Sequence, residues 1–224
     1  EQNSYPGITN KILAKYVNKI CVAYDKMERF FPLRKIIFTG NPIRKDILGF
    51  EQKKKDAQKL FNLDRSRQTI LVVGGSLGAL TINQAISKGL KKINSMNLNL
   101  IWQTGSSYES EAHKSIQSMN IKGIKAYTFI ENMDKAYAAA DVIVSRAGAI
   151  AISELCCIGK PIILVPSPNV AENHQYKNAQ SLVNKKAALL VEDAQVNRKL
   201  VSTLELLLKD QSLRENLINN IKKI

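Results

Sequence analysis

The sequence predicts an α/β domain built on a Rossmann-like, doubly wound parallel sheet. Short runs that are apolar throughout, such as Thr69-Ile70-Leu71-Val72-Val73 and Pro161-Ile162-Ile163-Leu164-Val165-Pro166, alternate with longer segments of helical periodicity from residue 69 onward. Strands read this way when helices cover both faces of their sheet. Glycine-bearing turns close several of these runs, at Gly74-Gly75, at Gly105 and at Gly148. No internal repeat or low-complexity tract competes with this reading. Crossovers in such a sheet are right-handed, and ligands bind at the carboxyl ends of the strands.

In chain order, residues 1–35 read as a short loop and then a helix. Thr9 or Asn10 is placed to cap it, and Ile12, Leu13, Tyr16, Val17, Ile20 and Tyr24 recur at helical spacing. Lys11, Lys15 and Lys19 form a basic stripe, either a solvated face or a phosphate- or membrane-facing one. Residues 35–40 are a short strand, and Gly40-Asn41-Pro42 punctuates a change of domain. Residues 51–59 are a Lys-rich surface helix or loop. Strands are then expected at 69–73, 98–103, 124–130, 141–145, 161–166 and 187–191. The helices between and after them run to about residue 93, then over 107–119, 132–139, 149–158, from about 173, and over 196–208 and 211–222. Asn132 is expected to cap the helix that follows it.

The 224 residues allow one large domain, or one domain with a piece of another. Hydrophobic residues make up 45%, enough for a packed core, and no run reaches the length of a membrane span. The polar start, Glu1 to Gly7, lacks the form of a signal peptide, and the absence of an initiator Met suggests a piece of a longer protein. A net charge of +14 favours anionic partners such as nucleotides, nucleic acid or acidic headgroups, or else marks a Lys-rich solvated surface. Aromatic residues are only 6% and no arginine-aromatic cluster occurs, which argues against single-strand nucleic acid binding. Cys21, Cys156 and Cys157 have neither disulfide-framework nor zinc spacing. They are expected to be buried thiols in a reducing, cytoplasmic compartment.

Four loops at the carboxyl ends carry the candidate chemistry. Gly74-Gly75-Ser76-Leu77-Gly78 resembles part of a dinucleotide turn, but the acid expected about twenty residues on is replaced by Gln103-Thr104-Gly105. A nicotinamide or flavin cofactor is therefore disfavoured, and no nucleoside-triphosphate loop is present. At Phe129-Ile130-Glu131-Asn132 a base could bond the main chain, or the stretch is simply a strand end with a helix cap. Ser145-Arg146-Ala147-Gly148 opens the 149–158 helix. Its N-terminus suits a phosphate, and Glu154 two turns in suits sugar hydroxyls; alternatively this is an ordinary strand–turn–helix unit. Gln175, near the start of the next helix, suits sugar hydroxyls. His174 is given no proton-transfer role, and His113 is placed on the surface.

Taken in order, Glu1-Gln2-Asn3, Gly40-Asn41-Pro42-Ile43-Arg44, Gly74-Gly75-Ser76-Leu77-Gly78-Ala79, Phe129-Ile130-x-x-Met133, Ser145-Arg146-x-Gly148-Ala149 with Ser153-Glu154, and His174-Gln175-x-x-Asn178-Ala179 resemble the MurG family of bacterial glycosyltransferases. The resemblance implies one half of a GT-B fold. Residues 1–41 would be the tail of an N-terminal acceptor domain and linker, and 42–209 a C-terminal UDP-sugar-binding domain. Residues 210–224 would be a C-terminal helix packing back on the N-terminal domain.

The activity it implies is inverting transfer of N-acetylglucosamine from UDP-N-acetylglucosamine to lipid I. The product is lipid II, for peptidoglycan and hence for cell shape and division, and neither a cofactor nor a metal for bond breaking is needed. By position, Asn3, Arg44 and Ser76 would contact the donor, the latter two near its diphosphate, and Ile130 would bond uracil through its main chain. Ala149, Ile150, Ala151, Ile152, Ser153 and Glu154 would form the phosphate and ribose site, with Gln175 on the donor sugar. Two departures stand out: Leu77 replaces a frequent Gln, and Ala151 a frequent Thr. The family's general base and apolar membrane patch fall before residue 1, so no catalytic residue is assigned in this chain. The implied location is peripheral, at the cytoplasmic face of the bacterial inner membrane, with an anionic lipid surface and no nucleic acid as partner. A different GT-B UDP-sugar enzyme, such as UDP-N-acetylglucosamine 2-epimerase, or a non-catalytic nucleotide-binding module are the alternatives.

Overall fold

A computed structural model describes all 224 residues. Its main body is a six-stranded sheet of β3 (Thr69–Val73), β4 (Asn99–Gln103), β5 (Ile124–Tyr127), β6 (Val142–Ser145), β7 (Ile162–Leu164) and β8 (Leu189–Leu190). The strand order is β5-β4-β3-β6-β7-β8, and every pair is parallel. The order reverses between β3 and β6, which makes their carboxyl ends the switch point where such sheets bind ligands.

Alternation along each strand divides the core into two layers. Leu71, Ile101, Ile143, Ile162 and Leu164 pack with α2 (Lys54–Leu60), α5 (Met133–Ala139), α6 (Ala149–Ile158) and α7 (His174–Val183). Ile70, Val72, Leu100, Trp102, Val142, Val144 and Ile163 pack with α3 (Leu80–Ser95), α4 (Glu109–Ser118) and α8 (Val196–Lys209). Each such side chain, fully buried, contributes about 1.5–3 kcal/mol. α3 and α8 approach closely at Gly89, where a Cβ would lie 2.5 Å from Val201 Cγ2. The carboxyl end of α5 is closed by Lys160, whose ammonium donates to the carbonyls of Tyr137, Ala138 and Ala140. α9 (Gln211–Ile221) follows α8 and buries Leu217 and Ile221 in the two layers.

The first forty residues differ from the sequence expectation. The helix there is short, α1 (Ile8–Leu13), with Gly7 rather than Thr9 or Asn10 at its N-cap. Ile20–Val22 is instead a strand, β1, paired in parallel with β2 (Ile36–Phe38). Ile20 and Val22 are buried with Ala14, Met27 and Phe31 in a small separate core, whereas Ile12 and Tyr16 are exposed. Two β-branched residues alternating about Cys21 suit a strand with one buried face, and that outweighs the helical spacing. Ser4 N–H donates to Asn178 Oδ1 at 2.9 Å and Asn41 Nδ2 to Ser153 Oγ at 3.0 Å, joining this unit to the main body.

Other expectations need correcting. β5 ends at Tyr127, not Ile130, because the chain turns to let Ile130 meet a side chain of β4. Asn132 sits at the N-cap of α5 without a side-chain bond to it. The thiols are free, but Cys21 and Cys157 are exposed. Cys21 points out between two buried neighbours, and Cys157 lies on the solvent side of α6. Only Cys156 is half-buried, and burial pushes its thiol up to about 11.

Candidate functional site

The register sets the carboxyl ends level. Tyr127 pairs with Gln103, Gln103 with Val73, Val73 with Ser145, and Ser145 with Leu164. The loops leaving these residues therefore meet on one edge.

Two of the glycines hold loop against loop. Gly78 has φ +78° and a Cβ there would lie 1.9 Å from the carbonyl oxygen of Thr104; Gly105 has φ +77° and its Cβ would lie 2.1 Å from that of Leu77. The same Thr104 carbonyl accepts from Asn83 Nδ2, whose Oδ1 accepts from the buried Trp102 Nε1. Gly75, by contrast, has open space where a Cβ would stand. It and Ser76 present the loop to the cavity.

Gln103 is more than the absence of an acid. It is buried, its Nε2 donates to the Gly75 carbonyl at 2.9 Å, and its Oε1 accepts from Ile130 N–H at 2.8 Å. One side chain thus ties the glycine loop to the strand-end loop. The Ile130 N–H is thereby taken, and its residue lines the cavity.

Across the switch point, Gly148 is the N-cap of α6 and no side chain caps it. Ile152 N–H makes the bond to Gly148 O, so the N–H groups of Ala149, Ile150 and Ala151 precede the helical ladder. Gly148 has φ −64°, a conformation open to any residue, and a Cβ there would meet nothing within 4 Å. What glycine provides is room.

Arg146 anchors this turn. Its Nη1 donates to the carbonyls of Val165 (3.1 Å) and Pro166 (3.2 Å) and to Asp193 Oδ1, and its Nη2 to Thr81 Oγ1 at 3.0 Å. Thr81 in turn donates to Asp193 at 2.6 Å. The start of α3 and the segments after β6, β7 and β8 converge on one largely buried ion pair.

Glu154, one turn further into α6, is buried and triply held. Arg44 forks onto it with Nε to Oε1 at 2.9 Å and Nη2 to Oε2 at 3.1 Å, and Tyr137 donates its hydroxyl to Oε2 at 3.1 Å. The bond to Glu154 raises the pKa of Arg44, and burial raises that of Tyr137, so both remain donors.

These groups surround a cavity of about 640 Å³. Of the residues anticipated from sequence, Arg44, Ser76, Ile130, Ala151, Glu154 and Gln175 line it. Gln175 Oε1 is occupied, accepting from Ala147 N–H (3.2 Å) and Ser167 N–H (2.9 Å), which leaves its amide N–H groups. Asn3, Ala149, Ile150, Ile152 and Ser153 do not line it. Asn3 bonds Glu1 and Asn178, Ile152 is in the core, and Ser153 donates to Ala149 O and accepts from Asn41. Sequence reasoning missed Thr81, Tyr137 and Asp193, which also line the cavity. Asp193 was open to discovery, because it follows the last strand on the same edge. No group of His, Cys, Asp and Glu is arranged to hold a metal ion.

A parallel sheet of this order, with a glycine loop and an uncapped helix N-terminus meeting at its switch point, defines a Rossmann-like domain with an anion-accepting site. Residues 69–223 match the family described as the glycosyltransferase family 28 C-terminal domain, and the chain belongs to that family. Two relatives named UDP-N-acetylglucosamine--N-acetylmuramyl-(pentapeptide) pyrophosphoryl-undecaprenol N-acetylglucosamine transferase align over the whole chain. That of Flavobacterium psychrophilum is 48% identical and that of Parabacteroides distasonis 50% identical, with 60% and 61% of their own lengths covered. The crystal structure of Acinetobacter baumannii MurG superposes with a TM-score of 0.76 at 26% identity, covering 100% of this chain and 60% of that one. The chain thus spans about three-fifths of the length of these relatives.

Proposed function

We propose that this chain is the donor-binding half of an enzyme that transfers N-acetylglucosamine from UDP-N-acetylglucosamine to lipid I, forming lipid II for peptidoglycan. The observation that carries the reading is the convergence, in one cavity, of the open α6 N-terminus, Ser76, the Ile130 carbonyl and a held Glu154. Membership of the glycosyltransferase family 28 C-terminal domain favours sugar transfer over the epimerase alternative.

Each contact has a chemical reason. The diphosphate lies at the α6 N-terminus and the Gly75-Ser76 turn, where unpaired N–H groups and the helix dipole favour anions. That field grows in value as the leaving UDP gains charge, so bond breaking is assisted without a metal. Ala151 supplies an N–H there, and the hydroxyl of a Thr is dispensed with. The Ile130 carbonyl accepts from uracil N3–H, a donor that cytosine lacks. Glu154 accepts from ribose hydroxyls, and Arg44, whose fork holds Glu154, adds positive charge to that side of the cavity. Gln175 turns its amide N–H groups to the donor sugar.

Residues 1–41 serve as the tail of the acceptor domain, and that domain supplies the general base and the lipid I site. The net charge of +14 suits peripheral attachment to an anionic surface at the cytoplasmic face of the bacterial plasma membrane. No helix is long and apolar enough to cross a membrane.

Glu154→Ala tests the site. Loss of a charged acceptor should weaken UDP binding by about 1.5–3 kcal/mol, on the order of 10–100-fold, in isothermal titration calorimetry. An unchanged dissociation constant would refute the assignment.

A further inference from the structure

Tyr137 stands in α5, in a run of small residues, Ala136-Tyr137-Ala138-Ala139-Ala140. Its ring is part of the core, and its hydroxyl emerges at the cavity wall, 3.1 Å from Glu154 Oε2. An ionised carboxylate offers about four lone-pair sites. Arg44 takes two of them, one on each oxygen, and Tyr137 takes a third. One acceptor site is left, and its direction is fixed by the three donors. The Arg44 side chain is 43% exposed and comes from a loop, whereas Tyr137 comes from a packed helix, so the phenol is the rigid member of the set.

We propose that Tyr137 is a positioning residue that aims the remaining lone pair of Glu154 at the 2′-hydroxyl of a bound ribonucleotide, and so sets the preference for ribose over deoxyribose. This rests on the reading that Glu154 meets the ribose. Tyr137 touches no ligand itself. Without its hydroxyl the carboxylate is free to turn about the Arg44 fork, and the directed contact is lost while the rest of the cavity is unchanged.

The test compares dissociation constants of UDP and 2′-deoxy-UDP for the 224-residue chain and for Tyr137→Phe, Glu154→Ala and the double variant. Phenylalanine keeps the ring that fills the core, and circular dichroism verifies the fold. The unsubstituted chain should prefer UDP by roughly tenfold. Tyr137→Phe should weaken UDP by about three- to tenfold and leave 2′-deoxy-UDP within about twofold. In the Glu154→Ala background it should leave the ratio untouched, since the two residues act as one unit. A Tyr137→Phe variant that weakens both ligands equally, or neither, overturns the proposal while the ribose reading survives. An unsubstituted chain that binds both equally overturns the ribose reading and the proposal with it.

Discussion

Gly78→Ala should destabilise the fold by about 3–5 kcal/mol, the sum of overpacking and a left-handed backbone imposed on a residue with a Cβ. The clash is with main chain: the new methyl would stand 1.9 Å from Thr104 O and 2.6 Å from Thr104 C. A flexible side chain could move aside, but this carbonyl is fixed by Asn83 and, through it, by Trp102. The loops after β3 and β4 would have to part, and with them the wall that carries Ser76. Gly75→Ala is the control. It shares a positive φ, +94°, but its Cβ would meet nothing within 4 Å, so only the conformational cost of about 1–2 kcal/mol should appear. Urea unfolding of the two variants separates the effects. Equal losses would show that loop-on-loop packing is not what Gly78 provides.

Arg146→Met should cost about 3–5 kcal/mol, because it leaves the Asp193 carboxylate largely buried without its cation. It also strips a donor from the carbonyls of Val165 and Pro166 and from Thr81. The companion change Asp193→Leu should restore part of that loss, since two apolar side chains leave no lone charge behind. Unfolding free energies of the single and double variants make the comparison. A double variant less stable than the sum of its parts would contradict the pairing. The loss should also reach the site, because the α6 turn and the loop of Pro166 to Asn169 share this anchor.

The sheet was legible where its strands are apolar runs bounded by glycine or proline, as at β3 and β7. Thr69–Val73 begins and ends where its hydrophobicity does. Ile20-Cys21-Val22 was not, since three residues carry little periodicity and the spacing of Ile12, Tyr16 and Ile20 mimics a helix. Among the cavity-lining positions, Gly148 and Ile130 were legible from their places after strands, and Ala151 from the family resemblance. Residues acting through another side chain were not. Gln103 registers in sequence only as a missing acid, yet it staples Gly75 to Ile130. Tyr137 reads as core among alanines, and its hydroxyl matters only once α5 is packed beside Glu154. Such pairings span long stretches of chain, 47 residues for Arg146 with Asp193 and 110 for Arg44 with Glu154. Local pattern carries no information about them.

The most direct measurement of donor binding is saturation-transfer NMR on the 224-residue chain with UDP-N-acetylglucosamine, its galacto epimer and NAD. Transfer to the uracil, ribose and N-acetyl protons of UDP-N-acetylglucosamine is expected, with a weaker response from the epimer and little from NAD. No UDP-dependent transfer, or an equal response to NAD, would contradict a UDP-sugar site at the β3–β6 switch point.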